Sequence, residues 1–104
     1  MRFAVVDIVG DMLPRAAQVM KDHGLQFAGT FNSRLDEAED VLRLVIKDQF
    51  GNLLPDECAN GWWKVAIDFS IDSYGEQCLT RITSIRAVGR LEFAPNGDAM
   101  VMPA

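Results

Sequence analysis

Histidine occurs once in this chain, at His23, and cysteine twice, at Cys58 and Cys78. That scarcity limits the chemistry available. A structural zinc site needs four convergent ligands, and these three residues lie at unsuitable spacings, so no metal or cofactor is expected. A thiolate–histidine catalyst is conceivable, but His23 falls where a helix ends, and a cation there is explained by the helix dipole. The chain has no phosphate-binding glycine-rich loop, dinucleotide fingerprint, nucleophile elbow or His-Glu-x-x-His pair, so no enzymatic activity is expected. With no Cys-x-x-Cys spacing and no other sign of secretion, the two thiols are read as buried and reduced. A single Cys58–Cys78 disulfide is the alternative in an oxidising compartment.

Long apolar runs are also missing. The segment Phe3–Val9 is interrupted by Asp7 and is too short for a signal-peptide core or a membrane span, so the expected location is the cytoplasm of a bacterial cell or virus-infected host. Positive charge is scarce as well: 10 Lys and Arg stand against 15 Asp and Glu, a net charge of −5. Direct nucleic-acid binding, which needs excess cations to displace counterions, is therefore not expected. With four prolines and eight glycines the chain is no linker. Its 104 residues and 49% hydrophobic content suit a single compact domain, 1–104, able to fold without a staple.

The local patterns predict an α+β fold. Residues 2–9 read as a strand buried on both faces. A helix is predicted over about 12–23, with Asp11 as its cap, Pro14 in the first turn, a stripe of Leu13, Ala17 and Met20, and Gly24 as a left-handed stop. Leu25–Phe31 reads as a strand. Residues 34–49 fit two readings. The Ser33, Asp36 and Glu37 cap and the length favour a second helix, whereas the alternation of Leu42, Leu44 and Ile46 and the turn at Asp48–Asn52 favour a strand. The first is slightly preferred.

A Pro/Asp/Asn/Gly-rich loop over 53–61 precedes the clearest strand, in which Trp63, Val65, Ile67 and Phe69 point inward and Trp62, Lys64 and Asp68 outward. A four-residue loop at 74–77 would set Ser70 opposite Arg81, with Arg81 within reach of both Asp68 and Asp72. These two carboxylates lie about 13 Å apart along a strand at roughly 3.3 Å per residue, too far for one small ion. A last hairpin turns at Asn96–Gly97. The sum is a helical layer on a mostly antiparallel sheet of four to six strands.

Negative charge is concentrated mid-chain. Asp36, Glu37, Glu39 and Asp40 form a compact cluster, followed by Asp56 and Glu57 and then by Trp62. Acids near a helix start also serve as caps, but such a surface draws a basic partner, and an outward tryptophan can anchor the contact. The expected function is thus a small acidic protein-binding module, an inhibitor, immunity or phage accessory (anti-defence) protein. It would block or mimic a nucleic-acid surface on a partner with a basic surface. The alternative is a structural or self-assembling subunit, including a homodimer, with a small-molecule-binding or catalytic domain ranked last.

Overall fold

The computed structural model describes residues 2–30, 41–51, 53–97 and 99–103. Its elements are β1 (Arg2–Val9), a 3-10 turn (Gly10–Met12), α1 (Leu13–Asp22), β2 (Leu25–Thr30), β3 (Val41–Asp48), a second 3-10 turn (Asp56–Asn60), β4 (Trp63–Tyr74), β5 (Gln77–Phe93) and β6 (Ala99–Pro103). The strands form one sheet in the order β2-β3-β1-β4-β5-β6. Only β1 and β4 run parallel, so the α+β assignment holds with a mixed sheet. No helix among the described residues is long and apolar enough to cross a membrane.

One face of the sheet carries the core. Ala4, Val6 and Ile8 of β1 pack with Leu44 and Ile46 of β3 and Trp63 and Val65 of β4, beneath Ala16, Val19 and Met20 of α1. Of the expected stripe, Met20 is buried and Leu13 packs against the core, while Ala16 and Val19 rather than Ala17 complete the inward face. Its start is not capped by Asp11. That residue lies in the 3-10 turn, Met12 holds the cap position without a side-chain bond, and Pro14 sits in the first turn. The end follows expectation. The Gly24 N–H donates to Lys21 O at 3.0 Å with φ of 86°, and a methyl group there would overlap the Phe50 ring.

The preferred second helix over 34–49 is corrected. Val41–Asp48 is a strand, paired along its whole length with β1 and over much of it with β2, so its backbone groups are satisfied laterally. Burial alternates along it, with Leu44, Ile46 and Asp48 facing the core. The proposed cap at Ser33, Phe31 and the cluster Asp36–Asp40 lie outside the described residues.

Among the described residues Asp48 is the one buried charge, at 0% exposure. Its carboxylate accepts the N–H groups of Gly51 (3.0 Å), Leu53 (2.9 Å) and Leu54 (2.9 Å) and meets Arg2 at 3.3 Å. Arg2 lies opposite Asp48 in the β1–β3 register and also donates to Gly51 O and Pro55 O. This knot folds the loop that leads to β4.

Strands β4 and β5 continue past their neighbours as a two-stranded ribbon. Within the described residues, β1 accompanies β4 only over 63–65 and β6 accompanies β5 only over 89–93. Three expectations change here. The turn is Gly75–Glu76, since Tyr74 pairs with Gln77, and Cys78 lies exposed near the ribbon's tip rather than buried. Ser70 does face Arg81. Arg81 bonds Asp72 at 2.7 Å, however, while Asp68 takes Ser84 at 2.6 Å and Arg86 at 3.8 Å. Thr83 is an extra residue in the ladder at this point, and the bulge moves Ser84 and Arg86 to Asp68.

Candidate functional site

The second face of the sheet, opposite α1, is the candidate site. Side-chain alternation fixes what it presents. Since Ala4, Val6 and Trp63 belong to the core, Phe3, Val5 and Asp7 of β1, Arg43, Val45 and Lys47 of β3, and Trp62 and Lys64 project the other way. Arg90 stacks on Trp63 at 5.6 Å, which puts its neighbour Leu91 on the second face beside Trp62. The Leu91 N–H donates to Trp62 O at 2.8 Å, tying the start of β4 to β5.

Three rings form a row across this face. Phe3 and Trp62 have centroids 5.9 Å apart, and Trp62 meets Phe93 edge-on at 6.4 Å. Such tilted and edge-on contacts are the favoured arrangements of aromatic pairs and hold Trp62 in one orientation. Trp62 nevertheless stays 39% exposed and Phe93 49%.

A charged network adjoins the row. Asp7 lies opposite Arg43 in the β1–β3 register and bonds it at 2.7 Å, and Lys64 reaches the same carboxylate at 2.8 Å. Burial pushes the Asp7 carboxyl up, but hydrogen bonds and charge from Arg43 and Lys64 outweigh this and hold it below its ordinary value. Asp48 behaves alike: burial opposes ionisation, yet three backbone N–H groups and Arg2 lower its pKa.

The residues marked by sequence are thus distributed. Trp62 is outward, as alternation required. Asp56 and Glu57 are exposed on the 3-10 turn whose Cys58 is packed into the core with Ala4 and Trp63, on the helix-bearing side. Asp36, Glu37, Glu39 and Asp40 lie outside the described residues. Phe3, Phe93 and Lys47 were not marked at all; the signal for Phe3 was its alternation with Ala4 and Val6.

Among the described residues, a groove of about 380 Å³ lies between α1 and Cys78–Thr80 and another of about 330 Å³ between α1 and Leu25–Phe27. His23 lines neither of them. Among the described residues no group of three or more His, Cys, Asp or Glu is placed to hold a metal ion. Comparison with protein-family models, curated proteins and solved structures found no match to this chain.

Proposed function

We propose that this chain is a non-enzymatic protein-binding module whose contact surface is centred on Trp62. The observation that carries this reading is the Phe3–Trp62–Phe93 row on a sheet face that no described helix covers. Large aromatics held by packed neighbours dominate binding energy at interfaces, and their fixed orientation reduces the ordering cost on association. Occluding a partner's working surface, as inhibitor, immunity and anti-defence proteins do, requires only such a surface and no chemistry of its own. The test compares immobilised wild-type protein with Trp62→Ala at unchanged secondary structure. A specific protein retained by the first and lost by the second is expected. The same proteins retained by both would contradict the reading.

Self-assembly is the second reading, and the ribbon favours it. Within the described residues, β5 has no partner strand on its outer side over 77–88, and Ile71, Tyr74 and Leu79 are exposed near the tip. An unpaired edge is a template for another chain. Sedimentation mass that rises with concentration, and falls when Leu79 is replaced by Lys, is the outcome that reading requires.

A further inference from the structure

Resting on the binding-module reading, we infer that the Trp62 face takes an acidic protein segment, one carrying aromatic or aliphatic side chains beside its carboxylates. Charge on this face carries the inference. Lys47 lies opposite Phe3 in the β1–β3 register, in line with the aromatic row, and makes no ion pair among the described residues. Lys64 follows Trp62 by two residues and so projects on its side of the sheet. It shares Asp7 with Arg43, so that one carboxylate answers two cations. Farther along the ribbon, Arg81 with Asp72 and Arg86 with Asp68 are matched one to one. Among the described residues the face is therefore locally cationic, on a chain whose net charge is −5.

Other occupants fit less well. A second copy docked face to face would bring two faces with the same excess of positive charge together, which like-charge repulsion disfavours. Single-stranded nucleic acid would find rings to stack on, but strong binding needs several phosphate contacts, and the whole-chain charge opposes a polyanion. An acidic peptide needs only one or two carboxylates for Lys47 and Lys64, with apolar side chains on the rings.

A random peptide library selected on the intact protein tests this, with affinities of the enriched peptides then measured on wild type, Trp62→Ala, Lys47→Glu and Lys47→Gln. Melting curves verify that each variant is folded. The inference expects peptides rich in Asp and Glu next to aromatic or aliphatic residues. It also expects affinity to fall about tenfold or more in Trp62→Ala and Lys47→Glu, less in Lys47→Gln, and further with added salt. Basic or uncharged peptides that still require Trp62 would overturn the acidic partner and leave the binding module standing. No enrichment over Trp62→Ala would overturn both. Binding of poly(dT), or a dimer in sedimentation, that is abolished by Trp62→Ala would overturn the inference in favour of nucleic acid or a second copy.

Discussion

Trp62 and Trp63 are neighbours in the chain and stand on opposite faces of the sheet: Trp63 is 9% exposed within the core, whereas Trp62 is 39% exposed between Phe3 and Phe93. Their truncations should separate accordingly. Trp63→Ala is expected to cost about 3–5 kcal/mol as a core cavity. Trp62→Ala should cost about 1–2 kcal/mol, the loss of two ring contacts and some apolar cover. Urea unfolding of both variants measures this, and equal losses would contradict the assignment of faces.

Asp48 and Asp7 make stability depend on acid. Both carboxyls titrate below their ordinary value of 3.8 in the folded chain. The unfolded chain then binds protons more readily than the folded one as pH falls through that value, so their contribution is present above it and lost below. Unfolding free energy should be flat from neutral pH to about 5 and decline below about 4. Asp48→Ala should cost about 3–5 kcal/mol at neutral pH, because Arg2 and three N–H groups lose their acceptor. A decline of unchanged steepness in a double Asp7→Asn, Asp48→Asn variant would show that other carboxyls are responsible.

Asp7 also moderates the charge of the face that carries Trp62. Asp7→Asn leaves Arg43 and Lys64 without their shared carboxylate and should lower stability by about 1–3 kcal/mol. In the same variant, an acidic peptide selected on the wild type should bind severalfold more tightly. Weaker binding at full folding would contradict the charge argument.

The thiols should differ in reactivity. Cys58 is buried, and burial, with Glu57 nearby, raises its pKa despite Arg2; Cys78 is exposed. A small alkylating reagent should modify Cys78 in the native protein and Cys58 only on unfolding, since the thiolate is the reactive form. Reductant should leave Tm unchanged, because both cysteines are free. Rapid native labelling of Cys58 would contradict its place in the core.

Much of the fold was legible because alternation and helix punctuation are local. Gly24 marked the end of α1, and the spacing from Trp63 to Phe69 fixed the core face of β4. Residues 41–48 were ambiguous because Leu42, Val45 and Ile46 satisfy both helical and strand spacing; lateral pairing with β1 and β2 decided the matter. The bulge at Thr83 and the exposed position of Cys78 depend on how far the ribbon outruns the core, which no local pattern encodes. Trp62 was legible as an outward side chain. Its neighbours were not, since Phe3, Lys47 and Phe93 come from three other strands brought together only by sheet order.

The most direct measurement follows the two indole N–H signals by NMR while a selected peptide is titrated into the intact protein. A saturating shift of the Trp62 indole is expected, with backbone shifts at Phe3, Lys47 and Phe93 and a far smaller change at Trp63. A Trp62 signal that stays in place while Thr80–Ser84 on the β5 edge shift would contradict it and move the contact surface to the ribbon.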